Sequence, residues 1–380
     1  MSINRQKHYE PWVDRQKQGA LFRRGLHLDW PLLAGLLILS GVGLIVLYSA
    51  SGQDMDHLWR QGMRLGLAFG VMIGVAQIPP HHIERWTPWL FGAGILMLLA
   101  VEAVGDISKG AQRWLDLGII RFQPSELMKL AVPMMVAWYL AETRLPPSLK
   151  ATGIAAVLIF VPVGLIAMQP DLGTSLLVCA AGVFVVLLSG ISWRFIGIIA
   201  FLGVCAVPLM WFFGMHDYQR QRVLTFLDPG TDPLGTGYHI IQSMIAIGSG
   251  GLYGKGWLNG TQSQLDFIPE RSTDFIFAVF AEEFGFFGIV LLLTIYLFII
   301  LRGLYIANQA QNSFTRLLAG SLTITFFVYV AVNIGMVSGL LPVVGVPLPL
   351  ISYGGTSMIT LMTGFGILMS IQTHRKLVTT

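Results

Sequence analysis

The chain has 380 residues, of which 54% are hydrophobic and only 12% charged, too few polar side chains to cover a soluble domain of that size. Its 24 Lys and Arg against 20 Asp and Glu leave a net charge of +4, but the basic residues scatter over loop ends without interleaved aromatics, which argues against a nucleic-acid partner. The composition predicts an all-α, polytopic membrane protein, with apolar runs such as Pro31 to Ala50 exceeding the roughly 18 residues that read as a membrane helix.

Residues 1–29 carry Arg5, Lys7, Arg15, Lys17, Arg23 and Arg24 but no apolar core or small-residue cleavage site, and so read as a cytoplasmic basic tail and not a signal peptide. Residues 30–380 read as one membrane domain. Its hydropathy predicts ten helices, near 31–50, 64–79, 88–104, 124–141, 151–168, 174–190, 196–214, 274–301, 316–340 and 352–371. Gly62, Gly66, Gly70 and Gly74 form a small-residue stripe on the second helix, which predicts a packing seam where lipid offers no hydrophobic drive between helices. With the amino terminus inside, the cytoplasmic connections hold Arg85, Arg144, Lys150, Arg194, Arg302, Arg316, Arg375 and Lys376, as the positive-inside rule requires. Both termini are then cytoplasmic. The opposite face receives Asp54, Asp106, Asp116, Asp171, Asp228 and Glu270.

Several positions carry chemistry. Glu126 and Lys129 share a face three residues apart, just after Pro124; each alone costs about 2.5–3.5 kcal/mol at the membrane centre, so they are expected to pair. Such a pair either ties helices together or lines a substrate path. Asp171 sits in the turn Gln169-Pro170-Asp171-Leu172-Gly173-Thr174, where it caps the next helix or joins a site on the outer face. The loop 215–273 is far longer than a connection needs and reads as periplasmic. Within it Tyr238 to Ile247 is an amphipathic segment, interfacial or re-entrant. The following Gly248 to Gly256, with Lys255, is either a flexible turn or a set of exposed amides for an anion, though it departs from the Walker pattern.

Asp274 stands where a long apolar helix begins, a place the helix dipole favours for a carboxylate. On the same face follow Ala278, Ala281, Glu282 and Gly285, a small and acidic stripe expected to face a cavity, while Glu283 points to a neighbouring helix. Arg113, Arg220, Arg222 and Arg271 fall on the outer face, where guanidinium groups suit either phosphate or lipid headgroups. Cys179 and Cys205 lie in apolar runs and the histidines are scattered, so neither a disulfide framework nor a built-in metal cage is expected. A divalent cation, Mg or Mn, entering with a substrate pyrophosphate would leave no such signature.

The motifs Gly110-Ala111-Gln112-Arg113-Trp114, Gln123-Pro124-Ser125-Glu126, Gln169 to Thr174, Tyr218-Gln219-Arg220-Gln221-Arg222, Phe267-Ile268-Pro269-Glu270, Thr273-Asp274-Phe275 and Gly345 to Gly355 together resemble the bacterial shape, elongation, division and sporulation (SEDS) family, over nearly the whole chain. The length resembles its elongation branch more than its division branch. That resemblance implies an inverting peptidoglycan glycosyltransferase of the inner membrane, which joins lipid II disaccharide units onto an undecaprenyl-pyrophosphate-linked strand outside the cytoplasmic membrane. It also implies a class B penicillin-binding protein as partner, within an elongation complex that maintains rod shape. Carried over, Asp274 matches the family's essential aspartate, and Glu126, Lys129 and Asp171 its embedded polar positions. Asp274 would take the acceptor hydroxyl proton while Arg220, Arg222, Lys255 or a cation offsets pyrophosphate charge. A flippase that moves lipid II without forming a bond is the alternative, and a scaffold that only positions the partner is a third.

Overall fold

The computed structural model describes residues 26–375 apart from 105, 109–110, 117–120, 170, 192–196, 198–200, 202–203, 206–207, 209–210, 213–216, 229, 231–234, 266 and 269. Most of the expected tail and of the helix expected over 196–214 therefore lies outside the described residues.

The chain order is α1 (Trp30–Ala50), α2 (Met55–Ala76), α3 (Pro80–Val104), β1 (Asp106–Ser108), β2 (Ala111–Asp116), β3 (Arg121–Phe122), α4 (Pro124–Ala141), α5 (Leu149–Met168) and α6 (Leu172–Leu188). Then follow α7 (Asp217–Leu227), α8 (Thr236–Ser249), α9 (Thr261–Gln264), α10 (Ile276–Asn308), α11 (Ser313–Val337) and α12 (Thr356–Thr373). Among the described residues α1, α3, α5, α10 and α11 are long and apolar enough to cross a membrane. α2, α4, α6 and α12 coincide with further expected spans. Of these, α4 and α12 have most of their residues buried in the bundle, whereas most residues of α2 are not buried.

The core is a helix bundle. α4 packs against α3, α6 and α11; α10 lies between α1 and α11; α12 rests on α2. Between α3 and α4 the chain forms a small antiparallel sheet, β1–β2–β3, with Ile107 opposite Gln112 and Leu115 opposite Phe122. β1 and β3 are too short for a period-2 pattern, and β2, Ala111-Gln112-Arg113-Trp114-Leu115-Asp116, does not alternate.

Two expectations are corrected. The glycine stripe of α2 is not a seam within this chain: a side chain at Gly62, Gly66, Gly70 or Gly74 would meet nothing within 4 Å. The seam is instead the face of Gln61, Leu65, Ala68, Met72 and Ala76, all buried, which α12 covers. Nor does α10 run unbroken. Gly285 adopts φ 63° and ψ −163°, and residues 251–256 insert beside it.

At that break Lys255 N donates to the Glu282 carbonyl (3.0 Å) and Gly256 N to that of Glu283 (3.0 Å). In return, Phe286 N and Phe287 N donate to the carbonyls of Gly251 (2.9 Å) and Leu252 (3.1 Å). The loop thus replaces the helical partners that the break removes, which an apolar environment makes obligatory. Close backbone approach explains the glycines: at Gly254 (φ 80°) a Cβ would overlap the carbonyl of Glu283. Gly254→Ala is accordingly expected to cost at least about 1–3 kcal/mol from the positive φ alone, read as a lower melting temperature in detergent.

Candidate active site

The site is assembled from helix ends that four distant segments bring together. Pro124 opens α4, and the N-cap residue Gln123 leaves its side chain uncommitted to the helix. Gln123 Nε2 donates across to Asp171 Oδ2 at 2.9 Å, while Asp171 Oδ1 caps α6 by accepting from Thr174 N at 3.3 Å. Asp171 therefore does both things its turn allows: it caps a helix and presents a carboxylate to a neighbour.

One turn into α4, Lys129 Nζ donates to Glu126 Oε1 at 2.7 Å. Both side chains are buried, at 7% and 5% exposure, and Lys129 also lies 5.6 Å from the centre of the Tyr329 ring. The expected pairing is present. The other oxygen, Glu126 Oε2, has no partner among the described residues, so the pair leaves one acceptor to offer. These residues line a cavity of about 210 Å³ with Gln123, Asp171, Thr174, Tyr329, Gly345 and Ser357.

Asp274, two residues before α10, is not itself a lining residue of this cavity but stands beside its wall. The N-cap itself is Phe275, so Asp274 is not spent on capping the helix. Its backbone carbonyl accepts from Asn333 Nδ2 at 2.9 Å, and that amide also donates to Val346 O at 2.7 Å. Ser352 Oγ donates to Thr273 O at 2.7 Å and accepts from Leu348 N at 2.8 Å, and Tyr353 N donates to Ser272 O at 2.8 Å. Residues 272–274 are thus stitched to the loop 345–353 through main-chain groups. A Cβ at Gly345, a cavity-wall residue, would stand 3.5 Å from Asp274 Oδ2. Glycine at 345, with φ 75°, lets the carboxylate lie against the cavity wall.

The remaining candidates are elsewhere. Glu282 does not face this cavity; it is wholly buried against the loop, where Lys255 Nζ donates to it at 2.7 Å. Arg271 Nη1 donates to the Ser263 carbonyl. Arg220 donates from Nε to the Trp211 carbonyl at 2.9 Å and from Nη2 to that of Phe212 at 3.2 Å. The side chains of Arg113 and Arg222 lie outside the described residues. Glu283 meets Ser49 Oγ of α1, the neighbouring-helix contact expected for it. Among the described residues no group of three or more His, Cys, Asp or Glu could hold a metal.

Sequence reasoning passed over Asn333, Tyr329 and Arg64. Asn333 is fully buried in an apolar helix, and a lone amide there was the available signal. Arg64 lies with its guanidinium 4.6 Å from the centre of the Tyr353 ring, a contact no local pattern announces.

Residues 30–377 match the cell cycle protein family FtsW/RodA/SpoVE. The chain belongs to that family. It is 60% identical over 352 residues to the peptidoglycan glycosyltransferase MrdB of Escherichia coli, covering 93% of this chain and 95% of MrdB. A probable peptidoglycan glycosyltransferase FtsW of Escherichia coli is 36% identical over 357 residues, with 89% and 84% covered. Among solved structures, the rod shape determining protein RodA of Thermus thermophilus superposes with a TM-score of 0.70 at 29% identity, covering 92% of this chain and 98% of that one. A chain from a peptidoglycan synthase complex that coordinates polymerization and crosslinking superposes with a TM-score of 0.80 at 35% identity, over 92% and 98%. The elongation branch, to which MrdB and RodA point, is the one the chain's length suggests.

Proposed function

We infer that this chain is a peptidoglycan glycosyltransferase that joins lipid II disaccharide units into glycan strands on the outer face of the inner membrane during elongation. The observation that carries the reading is the placement of Asp274 beside Gly345, a wall residue of the polar cavity that Glu126, Lys129 and Asp171 line. Glycosyl transfer needs a base for the acceptor hydroxyl and a positive environment for the leaving pyrophosphate. Asp274 takes the hydroxyl proton as the acceptor oxygen attacks the anomeric carbon of the strand. The bond to lipid pyrophosphate breaks with its electron pair on the departing oxygen, and the anomeric centre inverts.

Lys129 supplies positive charge at the cavity, although Glu126 offsets part of it. A divalent cation arriving with pyrophosphate would be held by Glu126, whose Oε2 is unpartnered, and Asp171, with substrate oxygens completing its shell. The partner is a class B penicillin-binding protein, a reading supported by the likeness to a chain of a synthase complex that couples polymerization to crosslinking. Both termini are then cytoplasmic, with Asp274 outside, as the distribution of Lys and Arg suggests.

The test is to supply labelled lipid II to the purified chain in liposomes, with and without the partner and with chelator. Glycan strands are the expected product. Labelled lipid II that crosses the bilayer with no polymer would establish the transporter reading instead, and neither outcome in any arm would leave a scaffold.

A further inference from the structure

The break at Gly285 divides α10 into two bodies held by different contacts. Residues 286–308 are anchored at their far end to α1, where Arg302 donates to Asp29 from Nε (3.0 Å) and Nη2 (2.6 Å). Residues 276–284 carry Asp274 at their amino end, and regular helical bonds do not continue them into the second half. Ile276 to Ala281 are buried in the core, and polar contacts grip the two ends of the segment.

The upper grip is the stitching of residues 272–274 to Asn333 and Ser352. The lower grip is Glu282. Its carboxylate is 0% exposed and accepts from Lys255 Nζ at 2.7 Å, Thr261 Oγ1 at 3.1 Å, Gln262 N at 3.0 Å and Ser263 N at 3.4 Å. All four donors belong to the segment 255–263, which also exchanges main-chain bonds with the break. A buried carboxylate with four donors, one of them a cation, is a rigid joint, since charge-assisted hydrogen bonds are the stronger ones. It also occupies the one ammonium that sequence offered for pyrophosphate.

We propose that Glu282 and Lys255 are a positioning pair that sets the place of Asp274 beside the cavity wall at Gly345, through the short helix 276–284, without touching substrate. The proposal rests on the glycosyltransferase reading for its consequence but not for its geometry, and its test separates the two. In the full-length chain with its partner, Glu282→Gln and Lys255→Ala are each expected to lower kcat for lipid II polymerisation about 10- to 100-fold, the scale of a roughly 1 Å misplacement. KM should stay within about twofold, because no ground-state contact is lost. Lys255→Ala strands the buried Glu282 carboxylate and should lower the melting temperature, so rates are compared well below the melting temperature of every variant, where the loss of kcat should persist. Lys255→Arg, which keeps the cation, should restore most of the rate.

A second arm needs no activity. With Cys179 and Cys205 replaced by Ala, the rate at which a charged thiol reagent modifies Asp274→Cys is expected to change several-fold when Glu282→Gln is added. Three results would each overturn the proposal: a raised KM with kcat kept, which makes Lys255 a substrate ligand; a rate loss that only follows a falling melting temperature; or a modification rate at position 274 that Glu282→Gln leaves alone. Absence of polymer from the unchanged protein, with the modification rate still responding, removes the glycosyltransferase reading and leaves the positioning role standing.

Discussion

Asp274→Asn should reduce glycan polymerisation by about 10²–10⁴-fold, the contribution of a positioned base, while the protein folds and binds its partner as before. The structural argument for the second half is specific. The backbone carbonyl of Asp274, which Asn333 engages, is untouched by the substitution, and the amide of asparagine has nearly the shape of the carboxylate it replaces. A loss of activity with an unchanged melting temperature therefore isolates the proton acceptor. Asp274→Glu keeps a base but moves it outward by one methylene, toward the wall that Gly345 leaves open, and should retain more activity than asparagine. Polymerisation by Asp274→Asn at the unchanged rate would place the base elsewhere, with Glu126 and Asp171 the carboxylates next in line.

How much of this was legible beforehand depends on the range of the interaction. Glu126 and Lys129 were readable as a pair because both lie on one helix, three residues apart, and lipid makes an unpaired charge costly. Asp171 was readable because its turn chemistry is local. Asp274 stood out as a carboxylate at the mouth of a long apolar run, a position that is local in sequence. Glu282 was assigned to the wrong surroundings for a definite reason: its four donors come from residues 255–263, and helical periodicity names a face without naming what covers it.

The interrupted helix was hidden in the same way. Gly285 looked like one more small residue in an apolar run, and only the insertion of residues 251–256 gives its left-handed conformation a purpose. The glycine stripe of α2 misled through the same gap: small residues permit close approach, but whether a neighbour comes is decided by the rest of the bundle. Family resemblance added the reaction, and the distribution of basic residues added an orientation.

The pair Glu126–Lys129 gives the other large expected effect. Lys129→Met is expected to destabilise the protein by about 3–5 kcal/mol, because removing one partner of a buried ion pair strands the other. Glu126 is only 5% exposed and already has one oxygen without a partner, so the lost ammonium would leave the whole carboxylate unsatisfied. Adding Glu126→Gln to the Lys129→Met variant removes the stranded charge and should return most of the stability, since replacing both members of such a pair is often close to neutral. Activity should not return with it. If the pair only tied helices together, the double variant would polymerise lipid II in step with its recovered melting temperature. If it forms part of the cavity that receives substrate, as its lining position beside Asp171 and Tyr329 indicates, the double variant melts near the unchanged protein and still makes little glycan. Stability and turnover thus separate in one pair of proteins, and that separation is what assigns the pair to the site.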